Sequence, residues 1–303
     1  MAVKERIKNL LAALNKGIYE KEEVMALALL SSIAGESIFL LGPPGTAKSL
    51  VARRLKYAYK DGSAFEYLMN RFSNPDEIFG PVSISKLKNN DRYERVIKNY
   101  LPSATVSFLD EIWKAGPPIQ NTLLTVLNEK KFRNGYEEID IPLKAIISAS
   151  NELPAKNAGL EALWDRFLVR FVVGGIEDED NFDKMISEDL LSGEDPVAGE
   201  GKITNEEYKE WGGAVKQIII PENVFQVIHV IRKRIAYYNQ KDDNKEKQIY
   251  ISDRRWRKIV RLLRTSAFLN DRSEVDLMDC FLIQHCIWSE DSEKDAVYQF
   301  VRE

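Results

Sequence analysis

The run Gly42-Pro43-Pro44-Gly45-Thr46-Ala47-Lys48-Ser49 constrains the architecture most, because a loop of this kind works only between a strand and a helix. Its glycines let successive backbone N–H groups turn inward onto phosphate oxygens, and the N-terminus of the following helix adds a favourable dipole. The flanks supply that context. Residues 37–41 form a short apolar β-favouring run that meets Gly42 directly, and 49–59 are helical in period with Leu50, Val51 and Leu55 on one side. In such a loop Lys48 reaches the β- and γ-phosphates and the Ser49 hydroxyl coordinates Mg²⁺, so ATP and Mg²⁺ are the expected cofactors, bound along 42–50 from Gly42 to Leu50. The strict pattern has glycine where this chain has Ala47, a residue expected to enter the helix at negative φ, where alanine is harmless.

Further strand candidates at 65–69, 105–109, 145–149 and 167–173 alternate with helical stretches such as 118–129, the pattern of a parallel sheet covered by helices. The run Val106-Ser107-Phe108-Leu109-Asp110-Glu111 ends a buried strand on two carboxylates. Behind a phosphate loop, Asp110 reads as the metal-side carboxylate and Glu111 as the base that activates water; alone, the pair is equally an inert strand end. Two hairpin insertions are expected. One spans 81–101 with a polar turn at 88–91; the other spans 131–142, with Asn134-Gly135 as the central pair of a type I′ turn. After Val173 the β pattern fades into Gly174-Gly175 and an acidic run, so the chain divides into a core over 1–175 and a smaller helical unit over 176–303. That second unit is expected to hold helices at 181–191, from Thr204 (capping box with Glu207), and at 221–238, 252–268 and 274–288.

A net charge of -4 argues against a basic surface overall and disfavours nucleic acid as a partner. Two cysteines, Cys280 and Cys286, are too few for a disulfide framework and point to a reducing, cytoplasmic setting. The longest apolar stretch, 24–41, is broken by polar residues and does not read as a membrane helix. Cys280, His285 and Cys286 lie close together, but on a helical pattern without a fourth ligand, so zinc is not expected.

Taken in order, the loop, Leu109-Asp110-Glu111-Ile112, Ala149-Ser150-Asn151-Glu152 and Leu163-Trp164-Asp165-Arg166-Phe167 resemble AAA+ ATPases, specifically the MoxR branch. Pieces such as Phe79-Gly80-Pro81, Phe132-Arg133-Asn134-Gly135 and Ser252-Asp253-Arg254-Arg255-Trp256 look like the RavA type of regulatory ATPase within it. The resemblance implies an α/β fold, an αβα P-loop core with a parallel sheet and an all-helical lid, assembled as a homo-oligomer, usually a hexameric ring, with ATP at the subunit seam. It matches Asn151 to the sensor-1 amide that helps hold water and γ-phosphate. Arg166 corresponds to the arginine finger supplied in trans, with Arg170 as its competitor, and Arg254 to sensor 2 acting within its own subunit, with Arg255 as the alternative. The two hairpins would correspond to the helix-2 insert and the pre-sensor-1 hairpin.

Three functions fit these features. The first is a chaperone-like remodelling ATPase that acts on a protein client with a von Willebrand factor A-domain partner, as the resemblance implies. The second is a motor or loader on nucleic acid, against which the acidic balance weighs. The third is a nucleotide-gated scaffold without turnover, against which Glu111 and Arg166 weigh.

Overall fold

The computed structural model describes residues 2–156, 158–187, 194–197, 201–241 and 248–303. Two N-terminal helices, α1 (Val3–Asn15) and α2 (Glu22–Ala34), lead into β1 (Ser37–Leu41), the phosphate loop and α3 (Lys48–Leu55). Gly35, at φ 73°, stops α2 in the left-handed conformation that glycine adopts without steric cost. The remaining strands of the sheet are β2 (Ala64–Leu68), β3 (Val106–Asp110), β6 (Ala145–Ser150) and β7 (Phe167–Val172). The short helices α4 (Pro75–Phe79) and α5 (Ile84–Asn90) follow β2, and α6 (Pro117–Glu129) follows β3. A separate hairpin is formed by β4 (Lys131–Asn134) and β5 (Glu137–Asp140), and α7 (Glu161–Trp164) precedes β7.

All four pairings in the five-stranded sheet are parallel, in the order β2-β3-β6-β1-β7. Strands covered on both faces must be apolar almost throughout, and the runs SIFLL, VSFLD and AIISAS meet that demand. Phe39 of β1 anchors one face: Trp113 and Trp164 each lie 5.1 Å from it between ring centroids, and Phe167 lies 5.9 Å away. Helix α2 is apolar on every side because it packs between β1, β6 and β7 and the lid helices.

After β7 the chain is helical, with α8 (Glu179–Ser187), α9 (Asn205–Gln217), α10 (Glu222–Gln240), α11 (Asp253–Leu269) and α12 (Lys294–Arg302). The Thr204/Glu207 capping box forms as the sequence predicts. The expected helix at 274–288 does not: Leu277–His285 winds as successive 3-10 turns. Its buried Cys280, Ile283 and Cys286 recur every third residue, the period of a 3-10 helix rather than an α-helix. The far end of the helix expected at 181–191 lies outside the described residues.

Both insertions differ from plain hairpins. The arms of the first meet at a Val82–Arg95 bridge, with Ser83 N–H donating to Glu94 O (2.7 Å) and Val96 N–H to Pro81 O (2.8 Å). Their connection is α5 rather than a turn, because the Ser83 hydroxyl accepts from Lys86 N–H and caps a helix start. In the second, Asn134 pairs across the ladder with Glu137, so the loop is Gly135-Tyr136, with positive φ (68°) at Gly135. Asn134 instead spends its amide on the first insertion, accepting from Arg95 N–H (2.6 Å) and donating to Arg95 O (3.2 Å). A Cβ on Gly135 would lie 2.6 Å from Tyr93 O, so glycine there lets the two insertions dock. Among the described residues, no helix is long and apolar enough to cross a membrane.

Candidate functional site

The strand order determines what meets at the C-terminal edge of the sheet. Because β6 lies between β3 and β1, with Asp110 opposite Ala149 and Leu41 opposite Ser150, the ends of these three strands bring Asp110, Ser150 and Gly42 together. In open parallel sheets, ligands bind at this edge, where the crossovers diverge. Gly42 is held by its N–H bond to Ser150 O (3.1 Å), and a Cβ there would fall 2.3 Å from Val173 O. A side chain at position 42 is therefore incompatible with the approach of β7, independently of any phosphate.

Pro43, Pro44 and Gly45 are exposed at the loop's crest. Thr46 Oγ1 donates to Pro43 O (2.9 Å), and the buried Lys48 Nζ donates to Gly42 O and Pro43 O, both at 2.7 Å. Ser49 and Leu50 follow in the first turn of α3, half-buried. Ala47 departs from expectation. It caps α3 at φ 64°, in the left-handed region, so the glycine of the strict motif would have relieved strain that alanine carries.

Lys48, Asp110 and Glu111 form one electrostatic unit. Burial pushes Lys48 down and Asp110 up from their ordinary values; the two carboxylates restrain the Lys48 shift, while the Glu111 N–H and the Lys48 charge restrain that of Asp110, to which the Glu111 charge adds. A carboxylate desolvated in this way suits a cation. Glu111 N–H donates to Asp110 Oδ1 (3.0 Å), and Glu111 itself sits at φ 51°, turning its side chain from the strand. Its Oε2 accepts from Ser150 Oγ (3.2 Å) and pairs with Lys114 (3.1 Å). Sequence reasoning missed Ser150 and Lys114, although Ser150 stood beside the predicted sensor. Asn151 is exposed one residue beyond β6, at the same edge. Among the described residues there is no cluster of three or more His, Cys, Asp or Glu fit to hold a metal. The donor set here, a hydroxyl and one carboxylate, suits Mg²⁺, which keeps waters and substrate phosphates in its shell.

The predicted arginines lie elsewhere. Arg166 immediately precedes β7, whose first residue pairs with Ser37, so it sits at the N-terminal edge of the sheet. Five residues of strand separate that edge from Gly42, roughly 16 Å at about 3.3 Å each. Asp165 gathers three cations at this edge: Arg254 at 3.1 Å, Arg255 at 3.5 Å and Arg166 at 3.7 Å. The expectation that Arg254 serves its own subunit's phosphates does not fit this placement.

The two alternatives are separated by burial. Arg255 is enclosed and donates to the carbonyls of Cys286, Asp165, Phe167 and Leu168. Arg170 is likewise enclosed, stacked 3.7 Å over the Trp164 ring and bonded to the carbonyls of Trp164, Phe167 and Trp288. Both guanidinium groups are depressed chiefly by burial, and both tie the lid to β7. Arg166 is partly exposed and Arg254 exposed. Only these two of the four can reach another molecule.

Comparison with known proteins bears on the family and the fold. Residues 5–211 match the family model described as the MoxR domain in MoxR-vWA-beta-propeller ternary systems, and 223–301 match an AAA lid domain. Two uncharacterized proteins of Methanocaldococcus jannaschii are similar. One is 35% identical over 95% of this chain and 71% of its own length, the other 38% identical over 92% and 70%. A crystal structure from Cytophaga hutchinsonii, described provisionally as an ATPase, superposes with a TM-score of 0.76 at 18% identity over 99% of this chain and 94% of that one, a likeness of fold. With its phosphate loop, its Asp110-Glu111 strand end and a MoxR match over most of its length, this chain belongs to the MoxR family of AAA+ ATPases.

Proposed function

We propose that this ATPase works as a Mg²⁺-dependent ring, a hexamer, in which each ATP is held by one subunit and completed by its neighbour. The observation that carries this reading is the separation of the partly exposed Arg166 and the exposed Arg254 from the loop of their own chain, at the opposite edge of the sheet. In this reading both arginines act in trans, on negative charge at the transferring phosphoryl.

Within one subunit, the loop amides and Lys48 hold the phosphates. Ser49 and Asp110 would hold Mg²⁺, which when bound neutralises charge on the β- and γ-oxygens. Glu111 orients the attacking water and accepts its proton, steadied by Ser150 and Lys114. Asn151 stands at the same edge to hold that water against the γ-phosphate. Residues 1–175 make the nucleotide-binding core and 176–303 the lid, which moves against it with each turnover.

The docked insertions are proposed to carry that motion to a protein client. They present exposed Ile84, Tyr93 and, at the hairpin tip, Tyr136. The matching family, whose MoxR domain works in systems with vWA and beta-propeller components, supports a von Willebrand factor A-domain partner, and a chaperone-like role is part of the proposal. The two buried thiols, both free, suit a reducing cytoplasm. Glu111→Gln tests the chemistry: we expect ATP to remain bound while turnover falls at least a hundredfold, and the client to co-purify with the stalled ring. Turnover near the wild-type rate would remove Glu111 from its role.

A further inference from the structure

At the N-terminal edge of the sheet, away from the phosphate loop, a cavity of about 990 Å³ opens between the end of α6, the β5–β6 connection, the start of α9 and one face of α11. Seven cationic side chains line it; Arg254 at its rim is already assigned to the neighbour's ATP, and the other six face three carboxylates, a local reversal of sign in a chain of net charge -4. Two of those carboxylates are already engaged. Glu36 pairs with Lys258 at 2.7 Å, and Glu206 is held below the usual carboxylate range by the backbone at the N-terminus of α9, while Asp140 lies across the hairpin ladder from Lys131, which pairs with Glu138.

The cations are less well satisfied. Lys130 terminates α6 in a left-handed conformation (φ 53°), and its Nζ is sealed from solvent with no hydrogen-bond partner among the described residues. Burial, with Lys258 and Arg261 adding to it and Glu36 opposing, pushes this amine down to about 8. Lys144 is also buried; its Nζ donates to Asn205 Oδ1 (2.7 Å) and lies over the rings of Tyr59 and Tyr208. An unpartnered buried ammonium is costly unless an anion joins it. Leu127, Ile141 and Leu143 give the same cavity an apolar wall, and its volume is that of a small-molecule site.

We propose that this cavity is a second site on the chain, separate from the phosphate loop, for a small multiply charged phosphate: an oligophosphate or a nucleotide. A pocket with a three-charge cationic excess, Arg254 left aside, fits short, concentrated negative charge better than the long uniform track of a nucleic acid.

The test uses the full chain carrying Lys48→Ala, so that the phosphate loop is disabled, with inorganic tripolyphosphate and ADP titrated separately by calorimetry without Mg²⁺. One site per chain is expected for tripolyphosphate, weakened at least tenfold by adding Lys130→Met and Arg261→Gln. Tighter binding of ADP would make the natural ligand a nucleotide, and weaker binding an oligophosphate. Absence of binding, equal affinity in the cavity variant, or capture of duplex DNA in place of both small anions would overturn the proposal. A melting series guards against misfolding: Lys130→Met alone should melt higher than wild type and lose the tripolyphosphate-induced rise. With the loop intact, Lys130→Met should still hydrolyse ATP, which keeps failure here distinct from failure of the ATP-site reading.

Discussion

Replacing Ala47 with glycine should stabilise the protein, against the usual effect of adding glycine. At φ 64° the alanine Cβ crowds its own backbone, which costs about 1–2 kcal/mol relative to glycine. Glycine returns about 0.4–1 kcal/mol of that through the greater freedom of the unfolded chain. The net is a gain of about 0.5–1 kcal/mol, or a melting shift of roughly 1–3 °C at this size. Two neighbours provide controls of opposite sign. Gly45→Ala, at φ 82° with no atom within 4 Å of the new Cβ, should lose the strain term of about 1–2 kcal/mol and regain about 0.4–1 kcal/mol through the unfolded chain, a net loss of about 0.5–1 kcal/mol. Gly42→Ala places its Cβ 2.3 Å from Val173 O, a backbone atom in the sheet, and should cost about 3 kcal/mol or more. Scanning calorimetry of the four chains should order them Ala47→Gly, wild type, Gly45→Ala, Gly42→Ala. A lower melting point for Ala47→Gly would refute the left-handed assignment and restore the helical one.

Arg170→Ala removes an enclosed guanidinium from Trp164 and several lid carbonyls, so it should destabilise by about 3 kcal/mol, while Arg166→Ala should leave the melting point nearly unchanged and abolish turnover. Equal stability losses in chemical denaturation would contradict the division of labour between them. His285 gives a pH test. Burial pushes its imidazole down to about 4, so between pH 6.5 and 4 the unfolded chain binds the extra proton and stability falls as pH falls, by on the order of 3 kcal/mol in all. The exposed Glu23 carboxylate, 3.5 Å away, offsets part of this. His285→Phe should flatten that acid limb, and an unchanged slope in urea titrations would count against it.

The sheet was legible because its strands are short apolar runs that a helix cannot use, and β1, the loop and α3 fall where the motif requires. Asp110 and Glu111 were readable as a pair, but the contacts of Ser150 and Lys114 with Glu111 depend on β6 lying beside β3, an ordering that no local pattern carries. Ala47 misled because its conformation is imposed by the loop rather than by its own preference. The choice between Arg166 and Arg170 could not be made from sequence, since they lie only four positions apart and only the packing of Trp164 and Trp288 encloses one. Arg254 and Arg255 divide in the same way, one turned outward to Asp165 and the other sealed beneath α11. The 3-10 turns at Leu277–His285 were hidden because a three-residue period and a 3.6-residue period look alike over nine residues.

The central claim, that one chain binds ATP and the next completes its site, is tested most directly by mixing two inactive chains, Lys48→Ala and Arg166→Ala. A competent interface needs an intact loop from one and an intact Arg166 from the other. Random assembly at equal ratio makes about a quarter of interfaces competent, so about a quarter of wild-type ATPase activity should reappear in the mixture. No recovery at any ratio, with both chains shown to co-assemble, would contradict the shared site.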